Sequence, residues 1–413
     1  MGGLILLTGA TGFLGAQIAR ILLRDTDHRL AVLVRGRDER DARRRLESVW
    51  SGWPETEGAF GSDRVRVLPG DLSRPGLGLG RHSVSELKRT LTHVVHAAAE
   101  LKLDGELGEL RRINVEGTSR LLELARAAHV DHGLERYAHV STAYVAGSRT
   151  GEVAEEELTD VYGFANAYEQ TKYEAELQVR AAMRELPVSV FRPGMVVGDS
   201  LSGEIRAFNT VYVPLRLYLC GRLRLVPARP DLPVNLVPVD YVAKTIAKLL
   251  FDPRAIGLTF HLTVQPDHLP KAQELLRVAR SWAAERLGET PPIARFLPLE
   301  ALARLPEAER PAVPGFLLSY FGEDRRFHRD NVERLLGPYV PDWEEILPRL
   351  LDYAECRGFL RRSDRTVREQ VLYRLENRGL PVRKNEPAAE GGELRLAGME
   401  SYREIGAVTV GAA

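Results

Sequence analysis

Cysteine is nearly missing from this chain of 413 residues; Cys220 and Cys356 are the two present. They stand far apart and outside any Cys-x-x-Cys spacing, which excludes a disulfide framework and a thiolate metal site and suits a reducing compartment. An excess of charge of either sign is missing too. The 57 basic residues balance 57 acidic ones, and most are arginines scattered among acids, so no basic face offers itself to nucleic acid or to an anionic membrane. Partners are therefore expected to be chosen by pockets. Long apolar runs are also lacking. The most apolar later stretch, Val211 to Val226, is interrupted by Arg216, Arg222 and Arg224 and is too charged to span a bilayer. Met1 leads directly into an apolar run and a glycine-rich turn, without the basic region, apolar stretch and small-residue cleavage site of a signal peptide. A cytoplasmic protein with no transmembrane segment is the expectation. His93, His96 and His139 lie along strand ends without a carboxylate cluster beside them, so no metal site is expected.

What the chain does contain is alternation. Short β-branched or Leu-rich runs at Leu4–Leu7, Leu30–Val34, Val65–Leu68, His93–Val95, Tyr137–Val140, Val188–Phe191 and Leu258–Leu262 predict strands. Between them Gly12–Arg24, Asn114–Ala128, Ala167–Glu185 and Val239–Phe251 carry apolar residues at three- and four-residue spacing, as amphipathic helices do. The fold class is α/β, a Rossmann-type doubly wound parallel sheet. The length exceeds what one core usually fills. Residues 1–265 are read as the dinucleotide-binding domain, interrupted at about 200–235 by a Gly/Pro/Arg-rich segment. Residues 266–365 are read as a smaller, mostly helical substrate-binding region, expected to fold with that insertion over the carboxyl edge of the sheet. Residues 366–413 are a charged, partly linker-like extension.

The first strand ends in Thr8-Gly9-Ala10-Thr11-Gly12-Phe13-Leu14-Gly15. Glycines there allow a tight turn and a close backbone approach to a pyrophosphate, which sits where free N–H groups and the helix dipole favour negative charge. The second strand runs into Arg35-Gly36-Arg37 where an enzyme specific for NAD usually carries an acid, and arginine there suits a 2′-phosphate, hence NADP(H). Arg35 is suited to stack on adenine and pair with phosphate, with Arg37 or Arg45 adding further bonds. Strand three ends at Asp71-Leu72, with Asp71 placed to accept from the adenine amino group. Strand four ends in Ala97-Ala98-Ala99, small enough for the cofactor to pass close to the backbone. Asn114, Pro193, Gly194 and Val196 complete the candidate cofactor contacts.

Tyr168 and Lys172 lie at i and i+4 of a predicted helix, hence on one face. A free phenol has a pKa near ~10, so a nearby cation is needed to make it a useful proton donor and acceptor at neutral pH. Lys172 is placed to supply that field and to hold the nicotinamide ribose. Lysine is scarce here against arginine. The pair is preceded by Val140-Ser141-Thr142-Ala143 at a predicted strand end.

In this order Gly9, Gly12, Gly15, Asp71, Ser141-Thr142, Tyr168 and Lys172 resemble an extended short-chain dehydrogenase/reductase over about residues 3 to 265. The resemblance implies that Thr142 orients the substrate oxygen, with Ser141 the fallback. It also implies that Phe191-Arg192-Pro193-Gly194 packs beside the nicotinamide. Leu33-Val34-Arg35, His139 to Val145, Arg192 to Gly198 and Asn235 to Val242 are most similar to the fatty-acyl and thioester reductase branch, called male-sterility type. Such enzymes use NADPH to reduce an acyl thioester on coenzyme A or a carrier protein to aldehyde or alcohol. An extended-family ketone or alcohol dehydrogenase, a nucleotide-sugar epimerase and a non-catalytic NADP-binding regulator stay open as alternatives. Ala143-Tyr144 after Thr142 removes the dehydratases, which carry Asp-Glu there. Gly198-Asp199-Ser200-Leu201 matches a short lipase-type string and a carrier attachment string, but four-residue strings are common. Phe208, Val211, Tyr212, Val213, Leu215, Leu217, Tyr218 and Leu219 suit an acyl tail, and Arg206, Arg216, Arg222 and Arg224 suit phosphates, unless they only pack the region. The Tyr168 helix is left to be covered by a partner subunit or by residues 270–360.

Overall fold

The computed structural model describes residues 2–60, 62–208, 211–302, 304–306 and 324–360. The proposed extension at 366–413 lies outside them. In chain order the elements are β1 Leu4–Thr8, α1 Phe13–Asp25, β2 Arg29–Val34, α2 Glu39–Trp50, α3 Pro54–Phe60, β3 Val65–Pro69, α4 Arg81–Thr90, β4 Leu91–His96, α5 Leu107–Asn114, α6 Glu116–His132 and β5 Arg136–Val140. There follow β6 Gly151–Val153, α7 Ala167–Ala182, β7 Val188–Pro193, β8 Met195–Val197, α8 Tyr212–Leu219, β9 Leu225–Val226, β10 Leu236–Pro238, α9 Val239–Leu250, β11 Thr259–Leu262 and α10 Ala272–Leu287. Two further strands are β12 Arg295–Phe296 and β13 Arg325–Phe327, and helices span Asp330–Leu336 and Trp343–Cys356.

Seven strands form one sheet in the order β11-β7-β5-β4-β1-β2-β3, all pairs parallel. Such a sheet is covered on both faces, which is why β1 and β5 are buried along their whole length. On one face Ile18, Leu22, Leu46, Trp50, Ile246 and Leu250 from α1, α2 and α9 join the core. On the other, Leu87, Leu121, Leu124, Val179 and Ala182 from α4, α6 and α7 do so. Strand order reverses at β1, and the crevice beyond the carboxyl ends of β1 and β4 is where open sheets of this kind bind ligands. Helices α5 and α6 lie against α7.

The insertion and the later helices share a core. Tyr212, Leu215 and Tyr218 of α8 pack with Val278 and Trp282 of α10 and with Leu347 and Leu350 of the Trp343–Cys356 helix, and Phe13 of α1 leans against the same cluster. The division at residue 266 is not clean, however. Residues 324–336 return to the sheet domain: β13 pairs with β6, Val332 joins the sheet core, and Asn331 donates to the Thr259 carbonyl at 2.9 Å. Buried Glu155 fastens this return, accepting from the backbone N–H of His261 and of Asn331, each at 2.8 Å. No helix among the described residues is long and apolar enough to cross a membrane.

Candidate active site

The turn after β1 is a cradle that a side chain would fill. Gly9 has φ +80, and a Cβ there would stand 2.6 Å from the Ala97 carbonyl carbon and the Ala98 nitrogen. A Cβ on Gly15 would meet the Gly9 carbonyl oxygen at 2.2 Å. Helix α1 begins at Phe13 with no side-chain cap and no acid in its first turn, so its free N–H groups and positive end face the crevice. Trp50 of α2 pins the turn from below by donating to the Ala10 carbonyl at 3.0 Å. Thr11 and Gly12 are exposed, while Phe13 and Leu14 are half-buried. The residues present therefore fit a dinucleotide diphosphate.

Arg35 is exposed at the end of β2. Its neighbours are otherwise engaged: Arg37, Arg44 and Arg45 gather on Asp41 at 3.9, 2.7 and 3.7 Å. Arg35 forms no ion pair among the described residues, whereas Arg45 shares Asp41 with its neighbours. Asp71 is held below the usual carboxylate range; burial pushes it up, but the Ser73 hydroxyl and amide and Arg35 outweigh that. Leu72 is buried against Gly117 of α6.

Below the crevice runs a hydrogen-bonded chain whose proton positions follow from its ends. Thr118 donates to the Asn114 carbonyl at 2.6 Å, so its oxygen must accept from His96 Nε2 at 2.9 Å. The other ring nitrogen, Nδ1, then accepts from the Thr8 hydroxyl at 2.8 Å, whose oxygen receives the Ala98 N–H at 3.2 Å. His96 is thus fixed as the neutral Nε2–H tautomer, and burial together with Lys172 lowers it to about 3. Asn114 faces inward as a clamp: it exchanges two bonds with the Glu100 backbone and donates to Thr171 of α7 at 3.0 Å. The Ala97–Ala99 loop is in this way tied to the helix bearing Tyr168.

Helix α7 starts with Asn166 capping the Glu169 N–H at 3.0 Å, which sets Tyr168 in its first turn and Lys172 one turn on. Thr142, buried at the end of β5, lies near enough to the Tyr168 phenol to oppose the rise of its pKa and accepts the Tyr144 N–H at 3.3 Å. Lys172 Nζ donates to the Val140 carbonyl at 2.8 Å. Burial lowers Lys172 to about 8, against the pull of Glu176. Burial first, and Glu169 second, hold Tyr168 above its ordinary value, with Thr142 opposing. Ser141 points away from the crevice and donates to Glu176 at 2.6 Å.

Glu176 and Arg325 were not singled out by the sequence, and Tyr144 and Arg192 were named only within longer stretches. Glu176 and Arg192 form a fully buried ion pair at 2.7 Å behind the catalytic loop. Burial, with Tyr168 as a lesser cause, lifts the Tyr144 phenol to about 12. Buried Arg325 of β13 sits 5.1 Å from the centre of the Tyr144 ring. The Glu176 signal was available: it continues the four-residue spacing of Tyr168 and Lys172. Gly194 packs against the Asn235 carbonyl, 2.9 Å from where a Cβ would be; Pro193 is buried and Val196 half-buried beside it.

Of the four substrate-side arginines, two are spent on packing. Arg206 stacks on Trp53 at 4.3 Å and Arg216 on Phe359 at 5.3 Å, whereas Arg222 and Arg224 are exposed. The Gly198-Asp199-Ser200 string is a turn in which Ser200 donates to Asp240 through both N–H and hydroxyl, at 2.9 and 3.0 Å.

A parallel sheet bearing such a turn at one strand end, and a Tyr-x-x-x-Lys helix beside a hydroxyl at another, is the architecture of the extended short-chain dehydrogenase/reductases, and this chain has it. Within them it belongs to the male sterility protein family, whose model matches residues 7–246. Its cofactor is a nicotinamide dinucleotide. The chain is similar to the isonitrile lipopeptide synthase of Mycobacterium tuberculosis, 36% identical over 272 residues, which are 59% of this chain and 11% of that protein. It is 28% identical over 282 residues to the fatty acyl-CoA reductase wat of Drosophila melanogaster, covering 60% of this chain and 54% of that protein. It therefore spans less than two thirds of the length of either. Among solved structures, the terminal R domain of the myxalamid PKS-NRPS biosynthetic pathway is 29% identical with a TM-score of 0.70, over 88% of this chain and 92% of that one.

Proposed function

We propose that this protein is an NADPH-dependent reductase of acyl thioesters, carried on coenzyme A or on a carrier protein, that yields an aldehyde or alcohol. The observation that carries the reading is the meeting of Thr142, Tyr168 and Lys172 at the end of β5, in a chain similar to a fatty acyl-CoA reductase and to a synthetase R domain. The N–H groups at Gly12–Gly15 would hold the diphosphate, Asp71 the adenine, Arg35 the 2′-phosphate, Lys172 the nicotinamide ribose, and Pro193, Gly194 and Val196 the nicotinamide side. NADPH bound there supplies the hydride.

The chain's own residues manage the oxygen. Thr142 and Tyr168 place two hydroxyls where charge develops on the thioester carbonyl, and removing one such donor typically costs ~2.7–4 kcal/mol of barrier. The raised pKa of Tyr168 keeps its proton in place for delivery to that oxygen across the neutral range. Collapse of the resulting hemithioacetal returns the hydroxyl proton to the Tyr168 phenolate as the C–S bond breaks, leaving the aldehyde and a thiolate whose parent thiol has a pKa near ~8.5 and so leaves readily. A free carboxylate would repel hydride, so the acyl group must arrive activated. Exposed Arg222 and Arg224 would meet the phosphates of coenzyme A or of a phosphopantetheine arm. The test is NADPH oxidation with a panel of acyl-coenzyme A thioesters, carrier-bound thioesters, free aldehydes and nucleotide sugars. Turnover of thioesters is expected; NADPH oxidation confined to free aldehydes, or no oxidation with any thioester, would replace this reading with one of the other family activities.

A further inference from the structure

The stripe of α7 that carries Tyr168 and Lys172 continues, at the same four-residue spacing, through Glu176 and Arg180. Lys172 is 2% exposed and Glu176 fully buried. A carboxylate in that position is unfavourable by several kcal/mol unless it is paired and hydrogen-bonded. Glu176 is both: Arg192 donates to it through Nη2 and Nε at 2.7 and 3.1 Å, Arg180 at 2.9 Å and Ser141 at 2.6 Å. Ser141 immediately precedes Thr142, and Lys172 holds the carbonyl of Val140, the residue before that. The strand end that presents Thr142 is thus tied to α7 twice, once by the ammonium and once by Glu176.

The groups facing the Lys172 ammonium come from four elements. On its own helix they are Tyr168 and Glu176. His96 of β4 and His139 of β5 are both buried and both held neutral, burial being the first cause and Lys172 the second. Arg192 of β7 faces it only as the partner of Glu176. The anion in this set is Glu176.

We propose that Glu176 is a positioning residue of the reduction, whose charge keeps Lys172 a cation in a dry site and whose bond to Ser141 sets Thr142 against Tyr168. The inference rests on the reading of Tyr168 and Lys172 as the catalytic pair.

The experiment measures kcat against pH, and NADPH affinity against pH by fluorescence, for the full chain and its variants. In the wild type both decline as Lys172 loses its proton around 8. Glu176→Gln keeps an acceptor for Ser141 but removes the charge, so both midpoints should move to lower pH by about one unit or more. Ser141→Ala keeps the charge, so kcat should fall about tenfold at every pH, the worth of one well-placed hydrogen bond, with the midpoint unmoved. Because Glu176→Gln strands a buried guanidinium, Glu176→Gln/Arg192→Met removes both partners and should fold with its midpoint still displaced. A midpoint equal to the wild type in a folded single or double variant overturns the proposal. If Lys172→Met keeps wild-type activity and profile, the catalytic pair itself is misassigned; if Lys172→Met is inactive while Glu176→Gln titrates as the wild type, the inference about Glu176 alone fails.

Discussion

Lowering the pH from 7 to 5 should destabilise this fold, and the size of the effect can be worked from three histidines and one glutamate. Burial lowers His96 and His261 to about 3 and His93 to about 4. The geometry explains each. Both His96 nitrogens are committed to Thr8 and Thr118. His261 donates through Nδ1 to the His328 carbonyl, which leaves Nε2 to accept from Arg192, so a second proton would face a guanidinium. His93 lies 3.6 Å from Glu135, but that carboxylate is 63% exposed and screened by water, and the packing of His93 against His28 and Phe251 decides. Each folded value is depressed, so the stability these residues contribute is present above the unfolded pKa near ~6.5 and is lost as pH falls toward the folded value.

From pH 7 to 5 the unfolded chain takes up each of these protons and the folded chain does not, a loss of about 2 kcal/mol per histidine. Glu155 works in the opposite sense. Burial raises it to about 7, so over the same window the folded chain binds its proton first and recovers about 2 kcal/mol. The net loss from these four groups is on the order of 4 kcal/mol, a large part of a typical ~5–15 kcal/mol, and His139, which burial also holds well below its ordinary value, adds to it in the same direction. Denaturant unfolding at the two pH values, followed by far-UV circular dichroism, checks this through the shift of midpoint. Glu155→Gln removes the opposing contribution and should steepen the loss to about 6 kcal/mol, and His93→Phe should reduce it by about 2. Stability that stays level or rises between pH 7 and 5 would refute the reasoning.

Arg35→Ala should weaken NADPH binding about 10- to 100-fold, the worth of a charge-assisted hydrogen bond, and leave NADH nearly unchanged; equal wild-type affinities for the two cofactors would remove the assignment. Tyr168→Phe should abolish turnover with NADPH binding intact, and Thr142→Ala should lower kcat by about 10²–10³-fold; near-normal turnover of the phenylalanine variant rejects the pair. Arg222→Glu/Arg224→Glu should raise KM for thioesters while NADPH affinity holds, and an unchanged KM in the folded double variant would make that surface scaffolding.

The seven sheet strands were legible because each is a short, mostly apolar run between helical patterns, and every observed boundary lies within two residues of the expected one. Helices α2, α4 and α8 were not read. In α2 the inward positions are Ala42, Leu46 and Trp50 among arginines and glutamates, and α4 buries only Leu87, so the apolar stripe is too thin to stand out. In α8 the flanking glycines, prolines and arginines hid eight helical residues. The return of residues 324–336 to the sheet had no local sign, since a strand of three residues gains its pairing and its Glu155 anchor only from elements far away in sequence.

Within the site, what was legible is what sequence keeps together: the glycine turn, Arg35 after its strand, and the Tyr168/Lys172 turn of helix. What was missed depends on where a polar side chain points. Asn114 was expected at the cofactor, yet its amide is consumed by Glu100 and Thr171. Arg206 and Arg216 were grouped with Arg222 and Arg224, although a guanidinium stacks on an aromatic face as readily as it meets phosphate, and the composition of the segment cannot separate the two uses. The consequence is a site supported by two polar chains that cross between elements. Thr8, His96, Thr118, Asn114 and Thr171 join the floor of the crevice to α7, and Ser141, Glu176, Arg192 and His261 join α7 to β5, β7 and β11. Both chains engage the helix that carries Tyr168 and Lys172, the first at Thr171 and the second at Glu176, so a polar-to-apolar change in either should disturb the crevice before it disturbs the sheet.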